Sequence, residues 1–236
     1  MRKGNTIKDC KNCESRLSSI FCSIDESDLE ALNDNKGCTA YKKRQIIFSQ
    51  GTIPHGLFVI YSGKVKLYQL AENGREQIVR MAKPGDVIGY RALLSNDHYS
   101  STAETIEESN ICFIPKTLFF SMMNKNSSIT SQLMKLLTVD LKSAEHKITD
   151  LAQKPVKERI AEALLFIKET YGFENDNKTI NVVLTREEMA NIVGTATETA
   201  IRLLSDLKHE KLIEFEGKKI KIINLKKLID TANIND

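Results

Sequence analysis

Between Ile46 and Pro115 the apolar positions fall in short runs broken by glycine: Ile46-Ile47-Phe48, Gly51, Leu57-Phe58-Val59-Ile60, Gly63, Val65 to Tyr68, Gly74, Ile78-Val79, Gly85, Val87-Ile88 and Gly89. Short β-branched and aromatic runs with a turn signal about every 8–12 residues predict an antiparallel sandwich or barrel. Glu72-Asn73-Gly74-Arg75 reads as a hairpin tip, because Asn-Gly supplies the positive φ angles of a tight reversal. Lys83-Pro84-Gly85-Asp86 is a second turn of the same kind. After Pro115 the period becomes helical. Met134, Leu137, Leu141, Ala144, Ile148 and Leu151 recur at alternating spacings of three and four, a heptad seam. Charged Lys135, Asp140, Lys142, Glu145, Lys147 and Asp150 flank it, so the seam suits a two-stranded dimer coil; packing within one chain is the plainer alternative. Lys154-Pro155 ends the helix and marks a hinge.

Beyond the hinge, Ile160, Ala163, Leu164 and Ile167 line one face of a helix from Val156 to Tyr171, with Arg159 and Glu162 outward and Gly172 as its stop. Ile180 to Leu184 reads as a short strand. Thr185 with Glu188 three residues later is a capping box, opening a helix that runs to Val193 before Gly194. Thr195 or Thr197 is the candidate cap of a second helix reaching His209. Two short helices across a glycine turn form a helix-turn-helix, and the hairpin through Lys211–Phe215, Glu216-Gly217-Lys218 and Lys219–Ile223 makes it winged.

Such helices can be mere packing, but the second presents Thr195, Thr197, Glu198, Thr199 and Arg202 in its first half and keeps Leu203, Leu204 and Leu207 for a core. Polar side chains at a helix N-terminus, with an Arg able to pair bidentately with guanine, are how this motif reads a major groove. Charge only partly agrees. The chain carries 34 Lys+Arg and 31 Asp+Glu, a net charge of +3, so any nucleic-acid surface is a local patch. Residues 201–227 hold eight Lys/Arg against four Asp/Glu, whereas 155–236 hold thirteen against fourteen. The motif outweighs the bulk tally, and Lys218 and Lys219 on the wing, with the three threonines, are expected on phosphates. A coiled dimer then implies a palindromic double-stranded site with half-sites one helical turn apart.

The five cysteines bear on compartment. The start, Met1 to Cys10, is basic with no apolar stretch after it, so it is not read as a signal peptide. No window resembles a membrane span. A cytoplasmic protein with reduced thiols is expected, and an odd count cannot pair completely. Enzymatic readings find no candidate residue: there is no P-loop and no Gly-x-Ser-x-Gly. His55, His98, His146 and His209 are scattered. His55 or His98 leaves a haem sensor open.

The order of parts resembles the CRP/FNR superfamily of bacterial transcription regulators from about Ser15 to Leu228. Its most specific stretch is Leu184 to Leu204, where Glu198 and Arg202 match the pair that reads the core of each half-site. Four residues is about one helical turn, so both side chains face one groove. Thr197 and Ile201 depart from the residues of the cyclic-AMP and oxygen-sensing branches, so neither branch's outer-base preference transfers. The resemblance implies an α+β fold: an antiparallel β-roll of cyclic-nucleotide-binding type in a sensor (1–128), a dimerisation helix and hinge (129–154), and a winged helix-turn-helix (155–236). RNA polymerase is implied as a partner. Tyr90, Arg91, Tyr99 and Ser100 fall at the effector pocket, with Tyr90 and Tyr99 where the cyclic-AMP branch carries its ribose Glu and phosphate Arg; without that arginine cyclic AMP is not expected. Cys10, Cys13, Cys22 and Cys112 resemble the ligands of a [4Fe–4S] cluster in oxygen-sensing members. The eight residues between Cys13 and Cys22 exceed the family's usual gap, so Cys38 is an alternative ligand. Plain burial of Cys22 and Cys112, with a zinc-binding or frayed start, is another alternative. The expectation is a homodimeric, sequence-specific regulator that couples an effector or redox signal to an operator. The alternative is a metal- or redox-binding module, iron–sulfur or haem, whose winged helices contact protein.

Overall fold

The computed structural model describes residues 9–234; the basic start read as no signal peptide lies mostly outside them. A 3-10 turn (Cys10–Asn12) and helices α1 (Glu14–Leu17) and α2 (Glu26–Asn35) precede strands β1 (Gly37–Tyr41), β2 (Ile46–Phe48), β3 (Gly56–Ser62), β4 (Val65–Leu70), β5 (Glu76–Ala82) and β6 (Val87–Ile88). Helix α3 (Tyr90–Ser95) interrupts the strands before β7 (Thr102–Thr105) and β8 (Ser109–Pro115). One antiparallel sheet runs β1-β8-β3-β6 and the other β2-β7-β4-β5. The region is therefore the expected β-roll, with two differences. Pairing begins at Gly37 rather than Ile46, and α3 falls where only strands and turns were expected.

Both turns fall where expected: the Ala71 N–H donates to the Arg75 carbonyl, and the Asp86 N–H to Lys83. In the first, Gly74 has the positive φ and Asn73 does not, so one residue and not the Asn-Gly pair makes the reversal. The apolar faces close into two cores. One gathers Leu57, Val59, Tyr90, Leu93, Ile114 and Phe119 under the N-terminal helices. The other gathers Phe48, Ile60, Val65, Ala103, Ile111 and Tyr99.

After α4 (Lys116–Lys125), Asn126 breaks the helix and α5 (Ser127–Gln153) begins. Ile129 and Leu133 are buried in the first core, each contributing about 1.5–3 kcal/mol and fixing the start of α5 to the β-roll. Further on the apolar residues face outward: Met134, Leu141, Ala144, Ile148 and Leu151 are exposed. Leu137 differs, being half-buried against the first core.

The chain divides into two compact units. One holds the residues up to Gln69 with Ala82–Asp140, and the other Leu70–Met81 with Leu141 onward. In the second, Pro155 caps α6 (Val156–Tyr171), which stops at Gly172. Arg159 is not outward: its guanidinium donates to the Val193 carbonyl at 2.8 Å. Ile180 to Leu184 is not a strand. Ile180 forms an isolated bridge with Phe173, and the Val182 N–H turns back to the Ile180 carbonyl at 2.8 Å, which ends extended pairing. Helices α7 (Arg186–Val193) and α8 (Thr197–His209), strands β9 (Ile213–Glu216) and β10 (Lys219–Ile222), and α9 (Leu225–Ala232) complete the winged helix-turn-helix.

Candidate DNA-reading face and thiol cluster

Helix α8 is positioned by the helix and turn before it. Thr185 Oγ accepts from the Glu188 N–H at 3.0 Å and the Glu188 carboxylate accepts from the Thr185 N–H at 2.7 Å, so the expected capping box starts α7. Gly194 ends it at φ +74, and a Cβ there would meet Leu151 at 2.9 Å. Glycine satisfies both the left-handed backbone and the close approach. The Thr195 N–H closes back to the Ala190 carbonyl, so Thr195 belongs to the end of α7. The cap of α8 is Ala196, without a side-chain bond, rather than Thr195 or Thr197.

Helix α8 buries Ala200, Leu203, Leu204 and Leu207. Its opposite face exposes Glu198, Ile201, Arg202, Lys208 and His209. Glu198 and Arg202 therefore share one face, as their spacing predicts. The Arg202 side chain is 67% exposed and lies 3.6 Å from Asp206. Thr195, Thr197 and Thr199 are half-buried at the front of this helix. Lys218 is exposed at the wing tip, whereas Lys219 pairs with Glu174 at 2.7 Å. The Arg186 guanidinium stacks over the Phe215 ring at 4.1 Å, tying the start of α7 to the wing, and burial lowers its pKa.

Two further contacts had no sequence signal. Within the second unit, Gln77 Nε2 donates to the Asn191 carbonyl at 2.6 Å, and Arg75 donates to the Thr195 carbonyl. The hairpin at 70–81 thus holds the backbone on both sides of the glycine turn.

The residues expected at an effector pocket are divided. Tyr90 is buried in the first core and its hydroxyl donates to Asp140 on α5. Arg91 pairs with the same carboxylate at 2.5 Å. Tyr99 lies in the second core, stacked on Phe48 at 4.0 Å, and burial raises its pKa to about 12. Ser100 is exposed. Each tyrosine thus packs in its own core, and the Arg91 charge is already opposed. His55 and His98, the haem candidates, are both exposed.

The thiols converge instead. Cys10, Cys13, Cys112 and Lys36 line one small cavity of about 30 Å³. Cys38 stands directly opposite Cys112 in the antiparallel register of β1 and β8, and their side chains hydrogen-bond. Cys22 does not line this cavity; its Sγ lies 3.4 Å from Ser23 Oγ. Lys36 Nζ donates to Cys10 Sγ at 2.7 Å. Burial would lower the Lys36 pKa, but the hydrogen bond to Cys10 and the adjacent thiols raise it. The bond with the Cys112 thiol lowers the pKa of Cys38. The same bond, reinforced by burial, pushes Cys112 up, and burial raises Cys10. Arg16 ties this N-terminal segment together, donating to the carbonyls of Cys10 at 2.8 Å and Phe21 at 2.9 Å. Among the described residues, no three His, Cys, Asp or Glu form a ready single-ion site. Cys10, Cys13 and Cys112 at the cavity, with Cys38 paired to Cys112, thus bring four soft sulfurs near the Lys36 charge.

Residues 38–126 match the cyclic nucleotide-binding domain and residues 158–231 the Crp-like helix-turn-helix domain. The anaerobic regulatory protein of Aggregatibacter actinomycetemcomitans is 27% identical over 237 residues, covering 100% of this chain and 92% of the relative. Regulatory protein HlyX of Actinobacillus pleuropneumoniae is 30% identical over 223 residues, 93% of this chain and 92% of its own. A solved CRP/FNR-family transcriptional regulator from Thermus thermophilus superposes with a TM-score of 0.71 at 25% identity, over 84% of this chain and 99% of that one. With a β-roll, a long helix and a winged reader in this order, the chain belongs to the CRP/FNR family of transcription regulators.

Proposed function

We propose that the protein is a cytoplasmic, homodimeric regulator that reads a palindromic operator and whose DNA binding responds to a redox signal at the thiols. In this reading 1–128 senses, 129–154 pairs the protomers, and 155–236 binds DNA. No enzymatic activity is assigned to it. RNA polymerase is its partner at promoters, as the family resemblance implies. The observation that carries the DNA reading is the exposed face of α8, where Glu198 and Arg202 stand a turn apart over a buried leucine face. Glu198 accepts from a cytosine amino group and Arg202 donates to guanine. Thr195, Thr197, Thr199, Lys218 and Lys219 would contact phosphates. The exposed stripe of Met134, Leu141, Ala144, Ile148 and Leu151, with Leu137 at its edge, supports a second copy as the partner of α5.

For the signal, Cys10, Cys13, Cys38 and Cys112 would hold a [4Fe–4S] cluster, Cys38 standing in for Cys22. When bound, such a group supplies oxygen-labile redox chemistry. The chain's own contribution is Lys36, whose charge opposes that of the thiolates, and the Arg16 clamp, which keeps Cys10 beside strands β1 and β8. Anaerobic purification tests this. About four iron and four sulfide per chain are expected, retained in Cys22→Ser and lost in Cys38→Ser. A colourless protein without iron or sulfide overturns the cluster, and failure to select any DNA sequence overturns the regulator.

A further inference from the structure

Within the second unit, strand β5, the last turns of α5, the first half of α6 and the end of α7 surround a cavity of about 170 Å³. Ile78, Met81, Phe166 and Ile192 give it apolar walls. Its charges are unevenly matched. Asp150 and Glu162 are both held by Lys154, at 3.3 and 2.9 Å, and Lys154 stands outside the lining. Lys147 and Arg159 also line the cavity, and neither forms an ion pair among the described residues. Lys147 Nζ donates to the Ile78 carbonyl at 3.2 Å, and burial lowers its pKa. Arg159 spends one terminal nitrogen on the Val193 carbonyl, while its buried Nε has no hydrogen-bond partner. Roughly nine in ten buried polar groups are paired, so an orphan donor at a cavity wall points to a missing acceptor. Arg80 and His146, the other titratable residues of the lining, supply no negative charge.

We propose that this cavity binds a small organic carboxylate, its charge held by Lys147 and Arg159 and its apolar body against Ile78, Met81, Phe166 and Ile192. A carboxylate accepts charge-assisted bonds from both cations and gives Arg159 Nε the partner it lacks. Bound there, it ties α5 to α6 across Pro155, since Lys147 and Arg159 stand on opposite sides of that residue. Volume limits the body. An apolar cavity of about 150 Å³ takes benzene, and pockets for drug-sized ligands begin near roughly 300 Å³. One ring or a short branched chain fits, and a nucleotide does not. Nor is the space reserved for a second copy. Ser143, Lys147 and Asp150 form a stripe of α5 beside its exposed apolar seam, and of the seam residues Leu151 alone also lines the cavity.

Benzoate is the probe and benzamide its neutral counterpart, each titrated into the full-length protein with methyl-labelled Met and Ile and followed by NMR. Benzoate should shift the Met81 and Ile78 methyl resonances and bind about tenfold or more tighter than benzamide. Lys147→Met keeps the alkyl stem and removes a charge that burial already disfavours, so the fold tolerates it and most of the preference for benzoate should go. Lys147→Arg should keep that preference. Ser143 is exposed and lines the cavity, so Ser143→Phe should fill the space without disturbing the core and abolish the shifts with both probes. Met81 and Ile78 methyls that do not respond to benzoate overturn the site. Equal affinity for the two probes in the unaltered protein overturns the carboxylate, as does a preference left unchanged by Lys147→Met. Binding that persists in Ser143→Phe refutes the cavity as its location.

Discussion

Arg202→Ala is the most direct perturbation of the reading helix. The side chain is two-thirds exposed and leaves nothing unfilled in the core, so its loss is a binding effect and not a folding one. Its partner Asp206 lies at 3.6 Å one helical turn on, and both are solvated. Such a pair is worth about 0.3–0.5 kcal/mol and does not hold the guanidinium back from DNA. A lost bidentate contact to guanine amounts to about 1–3 kcal/mol per half-site. A symmetric dimer loses it twice, about 2–6 kcal/mol, or roughly 30-fold to 20,000-fold in affinity. Fluorescence anisotropy with the selected operator and a scrambled duplex, over a series of salt concentrations, separates the terms. Arg202→Ala should collapse the ratio of operator to scrambled affinity, and Arg202→Lys should restore charge but little of that ratio. Lys218→Ala should weaken both duplexes alike and reduce the slope of log K against log salt by about one per protomer. Equal weakening of operator and scrambled DNA by Arg202→Ala would refute the base-reading role.

Other consequences are open to simpler measurements. Ile148 is 68% exposed on the α5 stripe, so Ile148→Glu should leave helicity unchanged by circular dichroism while light scattering reports a monomer; a persistent dimer would place the interface elsewhere. Thr185→Ala removes one arm of the capping box and should cost about 1 kcal/mol. That appears as a melting transition of the reader roughly 4–8 °C lower. Asp176 accepts from Thr179 Oγ at 2.6 Å and from the N–H groups of Thr179 and Lys178, bonds that hold its pKa below the usual carboxylate range. A depressed folded-state pKa gives stability that is complete above the unfolded value and is lost as pH falls through the folded one. The advantage of the native protein over Asp176→Asn should therefore be flat at neutral pH and shrink on acidification below about pH 4; a pH-independent difference would contradict it. In protein free of metal, iodoacetamide should label Cys38 before Cys10 and Cys112, because only Cys38 has its pKa lowered; mass spectrometry gives the order.

Local chemistry carried much of the architecture into the sequence. The Thr185–Glu188 box, the Gly172 and Gly194 stops and the break at Pro155 before α6 each depend on residues a few positions apart, so periodicity and capping rules found them. The same rules misplaced what depends on a neighbour. Thr195 and Thr197 are both good caps, yet the backbone of Thr195 is engaged in closing α7, and the cap falls to Ala196. Ile180 to Leu184 has strand composition, but the tight turn at Val182 breaks the pairing. Arg159 has the spacing of a solvent-facing residue, and its bond to Val193 depends on how α6 and α7 pack. On the reading face, Glu198 and Arg202 were legible because helical spacing alone makes them neighbours. The grip of Arg75 and Gln77 on the turn more than a hundred residues later was not, since no local pattern encodes it.

The thiols show how distance along the chain and distance in space differ. Cys22 is the third cysteine in order and only nine positions from Cys13, so a spacing argument selects it before Cys38. In space, strand register is what brings Cys38 beside Cys112. Once β1 pairs with β8, with Gly37 opposite Phe113, Cys38 must stand opposite Cys112, and both point to the same face of the sheet. A slip of one residue would send Cys38 to the other face. Nothing comparable binds Cys22: the Arg16 clamp fixes the carbonyls around it but leaves its sulfur beside Ser23. Lys36, two residues before Cys38 and at the end of α2, then reaches Cys10, so one strand start delivers both a thiol and its counter-charge. Moving the thiol within β1 separates these causes. In Cys38→Ser/Thr39→Cys the composition and the sequence spacing barely change, but the new thiol faces away from Cys112. The double variant should behave as Cys38→Ser does and bind no cluster. Iron retained by it would show that spacing along the chain, and not the register of β1 against β8, selects the fourth ligand.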